Sequence, residues 1–163
     1  MKIRAATEAD LPAITDIYNE SVRRSTATMD TEPKSLDDRR EWLAGHNAMH
    51  PVIVAELDGE IAGWGCLSPW SDRPAYAGTA ETSVYVHAAS RGRGIGHALL
   101  LELVRIARVH RLHTLVARIA TDNPASIRLH ESAGFAHTGT MREVGYKLGR
   151  WVDVASFQLM LQE

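Results

Sequence analysis

One six-residue stretch constrains this chain more than any other. Arg91-Gly92-Arg93-Gly94-Ile95-Gly96 stands between the strand-like Thr82-Ser83-Val84-Tyr85-Val86 and a strongly apolar helical pattern, Ala98, Leu99, Leu103, Val104, Ile106 and Ala107. Glycines let a backbone approach a ligand closely, and the first N–H groups of a helix are unpaired and carry about half a unit of positive charge. A strand, a glycine turn and a helix start in that order can hold a pyrophosphate, so the pattern implies a phosphate-bearing cofactor. The P-loop pattern needs Lys and then Ser or Thr after its last glycine, whereas Gly96 is followed by His97 and Ala98. The dinucleotide pattern fails as well, because its third small residue would fall on His97 or on Leu99.

The rest of the chain surrounds this unit with alternating elements. Lys2 to Ala5 reads as a short strand, and Thr7-Glu8-Ala9-Asp10 has the form of a capping box ahead of Leu11, Ile14, Ile17, Tyr18 and Val22 at helical spacing. Ser35 caps a second helix carrying Trp42 and Leu43. Two apolar runs, Val52 to Leu57 and Ile61 to Leu67, flank the hairpin turn Asp58-Gly59. The turn-rich segment Ser68 to Gly78 reads as a ligand-contacting loop, followed by a strand from Thr79 to Val86. Beyond the apolar helix come a strand around Leu115-Val116-Ala117 and a helix from Pro124 to Ala133, stopped at Gly134. The remainder is β-rich, divided at Gly139, Gly145 and Gly149. The order β-α-α-β-β-β-α-β-α-β-β predicts an α/β fold, a mixed sheet with helices on both faces. Nothing divides the 163 residues, so one domain over 1–163 is expected.

Composition narrows the partners. Eighteen basic against twenty acidic residues leave a net charge of -2, which disfavours nucleic acid. The N-terminus lacks an apolar signal core and no run is long enough to span a membrane. The lone cysteine, Cys66, excludes an intrachain disulfide and fits a cytoplasmic setting. His110 and His113 have no third residue at metal-ligand spacing, so no metal is expected.

Arg91, Gly94 and Gly96 match the R/Q-x-x-G-x-G/A signature of the GNAT acyltransferase superfamily. A second segment, Asn123-Pro124-Ala125-Ser126-Ile127-Arg128-Leu129-His130-Glu131-Ser132-Ala133-Gly134-Phe135, resembles that superfamily's Asn-led helix ending in Gly-Phe. Within it, Glu81 to Val86, Arg128 to Glu131, Gly145 to Val154 and Thr26 to Pro33 resemble the phosphinothricin acetyltransferase group, which includes methionine sulfoximine and sulfone acetyltransferases. The resemblance covers nearly the whole chain and implies a mostly antiparallel central sheet.

It also implies acetyl-CoA as co-substrate. The backbone from Arg91 through Gly92, Arg93, Gly94, Ile95 and Gly96 to His97 would hold its pyrophosphate, with Asn123 on the pantetheine arm and Ser132 nearby. Backbone N–H groups in Val84, Tyr85 and Val86 would face the thioester oxygen as it gains charge. Glu81 matches the acid that this group is thought to use as base, and His130 stands where the superfamily usually has a tyrosine acid. An ordinary glutamate is a weak base, so that role calls for burial or a water relay. Direct attack makes no demand on Cys66, which reads as core. In the acceptor pocket, Arg73 would take a carboxylate or phosphinate through its fork, with Tyr76, Met29 and Trp70 as walls.

The implied activity is transfer of acetyl to the α-amino group of a small amino acid such as phosphinothricin, methionine sulfone or methionine sulfoximine, in a homodimer. Two alternatives stay open: a protein or peptide N-acetyltransferase, and a non-catalytic acyl-CoA-binding sensor.

Overall fold

A computed structural model describes residues 1–161; the last two residues of the expected domain lie outside that range. In chain order the elements are β1 (Lys2–Ala5), α1 (Leu11–Arg24), α2 (Leu36–Ala44), β2 (Val52–Leu57), β3 (Glu60–Pro69), β4 (Thr79–Val86), α3 (Ile95–Val109), β5 (Thr114–Ala120), α4 (Pro124–Ser132), β6 (Ala136–Lys147) and β7 (Arg150–Met160). This is the predicted order of strands and helices.

Local chemistry explains the boundaries. The Thr7 N–H donates to Asp10 Oδ2 at 2.8 Å, so the predicted capping box forms, though it opens a 3₁₀ turn, Glu8–Asp10, just ahead of α1; Ser35 caps α2 as predicted, exchanging side-chain-to-backbone bonds with Asp38 at 3.0 Å. Asp58 and Gly59 both take positive φ, 54° and 81°, as a two-residue hairpin turn requires.

The strands form a seven-stranded sheet in the order β1-β2-β3-β4-β5-β7-β6. Every neighbouring pair is antiparallel except β4 and β5, which run parallel. Side chains alternate across it, as the pleat requires. Val52, Val54, Trp64 and Cys66 pack with Leu11, Ile14, Ile17 and Val22 of α1 on one face. Ile53, Ala55, Leu67 and Leu115 pack with Leu99, Leu100 and Leu103 of α3 on the other. Gly63 and Gly65 let α3 lie close to β3, because a Cβ on either would come within 3.0 Å of a β4 carbonyl and 3.2 Å of an α3 side chain.

Two details depart from the sequence reading. Gly139 and Gly145 do not divide β6; both lie inside one continuous strand, at register shifts opposite β7. Bulges on an edge strand accept glycine without ending the strand. Only Gly149, with Leu148, forms a turn.

The feature that positions the site is a divergence. β4 and β5 pair only at Thr79↔Thr114, Ala80↔Leu115 and Glu81↔Val116. Beyond that, β4 stays with β3 to Val86 while β5 stays with β7 to Ala120, and a wedge opens between them.

Candidate active site

Two cavities occupy the wedge. One, of about 460 Å³, is lined by Glu81, Thr82, Arg118, Met29, Tyr18 and His130 among others. The second, of about 510 Å³, is lined by Val86, Arg91, Gly92, Gly94, Ile95, Gly96, His97 and Asn123 among others. They share Val84 and Tyr85 of β4, Thr26 and Ala27 of the α1–α2 loop, and Ser126 of α4.

The second cavity has the chemistry of an anion cradle. Gly92 and Gly94 sit at φ 76° and 79°, left-handed values that cost a side chain strain, and nothing lies within 4 Å of where a Cβ would stand on either. The first bond of α3 runs from the Ala98 N–H to the Gly94 carbonyl, which leaves the N–H groups of Ile95, Gly96 and His97 without a partner inside the helix. These residues fit a pyrophosphate. Asn123 caps α4 by accepting from the Ser126 N–H at 3.2 Å. Arg93 and Ser132 line neither cavity; the Ser132 hydroxyl donates to the Leu129 carbonyl at 2.7 Å and lies 3.2 Å from His97 Nδ1.

β4 presents its backbone to the wedge at alternate residues. The His87 N–H donates to Ala62 and the Thr79 carbonyl accepts from Trp70, so the odd-numbered residues of β4 face β3. Strand alternation then turns the N–H groups of Thr82, Val84 and Val86 toward the wedge.

The first cavity gathers its groups from both faces of the sheet. Glu81 and Arg118 project on the α1 side, whereas Thr82 meets His130 of α4 on the α3 side. Arg118 holds Glu81 through two parallel bonds, Nε to Oε2 at 2.6 Å and Nη2 to Oε1 at 2.9 Å, and its guanidinium lies 5.4 Å from the centre of the Trp70 ring. Both Glu81 oxygens are therefore engaged.

His130 is buried, at 4% exposure. Its Nδ1 lies 2.8 Å from the Ser126 carbonyl, which only accepts, so Nδ1 carries a proton. In the neutral ring Nε2, 3.4 Å from Thr82 Oγ1, is then a proton acceptor. Burial pushes the His130 pKa below its ordinary value, with the Ser126 bond opposing the shift weakly. The neutral ring thus offers Nε2 to the cavity as a proton acceptor.

Tyr18 Oη donates to Asp30 and lies 2.9 Å from Thr28 Oγ1; burial first, and Asp30 second, push its pKa up to about 12. Burial also pushes the Cys66 thiol up to about 11, as expected of a core cysteine.

Of the proposed acceptor residues, Met29 lines the first cavity, but Arg73 and Tyr76 line neither. Pro74–Tyr76 folds into a short 3₁₀ turn that keeps Tyr76 47% exposed. The arginine that does reach the cavity is Arg118, which the sequence reading passed over. Its signal was a single charge inside the apolar strand Leu115-Val116-Ala117-Arg118-Ile119-Ala120. Tyr18 and Asp30 were missed too, Tyr18 because helical spacing assigned it to the core.

Comparison with known proteins agrees with this geometry. Residues 3–155 match the acetyltransferase (GNAT) domain family. The chain is 41% identical to an L-methionine sulfoximine/L-methionine sulfone acetyltransferase of Salmonella typhimurium, over 100% of this chain and 96% of that one. It is 43% identical to a phosphinothricin N-acetyltransferase of Streptomyces coelicolor, over 97% and 95% of the two chains. An acetyltransferase structure from Salmonella typhimurium, solved with its cofactor acetyl-CoA, superposes with a TM-score of 0.97 at 41% identity, covering 100% of this chain and 95% of that chain. A glycine cradle at the start of α3, a parted pair of parallel strands and this degree of likeness over the full length lead to one conclusion: the chain belongs to the GNAT acetyltransferase family and is an acetyltransferase.

Proposed function

We propose that this protein transfers the acetyl group of acetyl-CoA to the α-amino group of a small free amino acid with a polar tetrahedral side chain, the class represented by phosphinothricin, methionine sulfone and methionine sulfoximine. The observation that carries the reading is the meeting of the two cavities at Val84 and Tyr85, which joins an anion cradle to a chamber holding proton acceptors. The names of the full-length relatives support the same substrate class.

Acetyl-CoA, when bound, supplies an acetyl group activated as a thioester. The chain's own groups do the rest. The N–H groups of Gly92, Gly94, Ile95, Gly96 and His97 bind the pyrophosphate, and Asn123 borders the path of the pantetheine arm. Val84 and Val86 offer N–H donors to an oxygen that gains negative charge. An amino acid's amine is protonated near neutral pH, so a base must free its lone pair. Glu81 is that base, and His130 Nε2 is a second acceptor in the same chamber. Both face the acceptor, Glu81 from the α1 side and His130 from the α4 side.

The protein acts as one domain and pairs as a homodimer. β6 is an edge of the sheet, and the β6–β7 hairpin exposes Met141, Val144, Tyr146, Leu148 and Trp151, with Trp151 62% exposed. A long edge strand that exposes apolar side chains is a template for association. The buried, unpaired Cys66 suits a reducing, cytoplasmic setting.

The test is thiol release from acetyl-CoA with phosphinothricin, methionine sulfone, methionine sulfoximine and ordinary amino acids, with peptide amines as controls. Selective turnover of the sulfone, sulfoximine or phosphinate is expected, and Glu81→Gln should lower it by roughly 10²- to 10⁴-fold while acetyl-CoA still binds. Preference for peptides would identify a protein acetyltransferase instead, and cofactor binding without any turnover a sensor.

A further inference from the structure

Glu81, the base in the reading above, is not free in this structure. The guanidinium of Arg118 engages both of its oxygens at the wall of the first cavity. Such a fork fits any carboxylate, and the exchange of one carboxylate for another leaves its bonding unchanged. The pair is reachable, because the Arg118 side chain is 52% and the Glu81 side chain 21% exposed.

A free amino acid carries opposite charges on adjacent groups, and an ion pair facing a cavity is complementary to it. Laid between the two side chains, its carboxylate meets Arg118 and its ammonium meets Glu81. From this geometry we propose that Arg118 is the receptor for the acceptor's α-carboxylate, and that it occupies Glu81 until an acceptor arrives.

The inference rests on the acceptor being a free amino acid. The Trp70 ring beside the guanidinium keeps Arg118 in place when Glu81 is released. Asp30, the other carboxylate on the cavity, accepts from Tyr18 and is 3.9 Å from Lys34, so it does not compete for Arg118. A peptide N-terminus or an amino-acid amide has no α-carboxylate to exchange, and leaves the Arg118–Glu81 pair closed. Specificity for free amino acids and release of the base are thus one event.

The experiment compares methionine sulfone with its carboxamide as acceptors for the wild type, Arg118→Gln and Arg118→Lys. Wild type should prefer the acid in kcat/KM by roughly 10²-fold or more, as expected of a site built to pair with a group that the analogue lacks. Arg118→Gln should bring the ratio to within a few-fold of one, mainly by raising KM for the acid. It should also use the carboxamide at least as well as wild type does, because Glu81 is no longer held; loss of a merely structural contact would slow both acceptors alike. Arg118→Lys, which keeps the charge but not the fork, should fall between. Calorimetric binding of both acceptors reads the same ratio in a variant too slow to assay. An acid preference that survives in Arg118→Gln, or its absence from wild type, overturns the proposal. Wild-type turnover of peptides alone overturns the substrate reading beneath it, and the proposal with it.

Discussion

At the scale of the residue, His130 shows how a fold selects one proton chemistry from a side chain capable of several. Its place among the candidates came from the sequence frame Arg128-Leu129-His130-Glu131, but the placement of its ring proton did not. That depends on the Ser126 carbonyl one helical turn earlier, which fixes the proton on Nδ1, and on burial against Phe135. Protonation of Nε2 abolishes its acceptor role, and burial lowers the pKa of the ring below the ordinary 6.5. On the proposed role of His130 as a proton acceptor, the acid limb of kcat should lie below pH 6.5, and His130→Asn should remove that limb along with roughly 10²-fold of rate. Rate measurements from pH 5 to 8 on both proteins check this. Stability follows the same sign: the unfolded chain takes up the proton at about 6.5 and the folded chain only lower. The contribution is complete above 6.5 and declines as the pH falls through the folded value. Arg118 was the harder residue to find, since a charged side chain in a strand gives no sign of its partner until the strands on either side are known.

The elements were largely legible because each carries its own punctuation. The Ser35 cap, the Asp58-Gly59 turn and the Gly134 stop formed as read, and the Thr7 capping box formed on a 3₁₀ turn just ahead of α1. Glycine was the less certain sign, because the same residue type serves distinct purposes here. Gly94 takes φ 79° at the N-terminus of α3, Gly63 admits a neighbouring helix, and Gly139 sits at a bulge. Only the first is tied to the cofactor. Gly94→Ala forces a side chain into a left-handed conformation at a cost of about 1–2 kcal/mol, with open space around the new methyl group. Strain at the cradle, with no clash, should both lower the denaturation midpoint and weaken acetyl-CoA binding. Equilibrium unfolding and calorimetry separate the two effects, and unchanged affinity would show that α3 does not need this turn to hold the ligand.

For the whole molecule, the layered α/β arrangement followed from element order and periodicity, whereas the parting of β4 from β5 did not. Nothing in either strand's sequence says where two parallel neighbours separate; that depends on α3, which crosses between them, and on β7, which takes over the pairing of β5. The quaternary surface was equally silent, because the exposed apolar residues Met141, Val144 and Tyr146 are interspersed with Arg142, Glu143 and Lys147 along β6 and show no continuous patch in the sequence. If the hairpin face pairs two copies, Trp151→Lys should shift the protein from dimer to monomer in light scattering and leave the thermal midpoint of the monomer nearly unchanged, as Trp151 is 62% exposed in the single chain. The same seam has a thermodynamic consequence. A run of four strands on one side and a run of three on the other are paired across the sheet at only three residue pairs. Backbone pairing is sparsest along that line, although the apolar core under α3 spans both runs, and it is along that line that the cavities lie. A bound ligand therefore does more than occupy the protein: by touching both runs of strands it adds contacts where backbone pairing is sparsest, and its binding energy stabilises the domain as a whole.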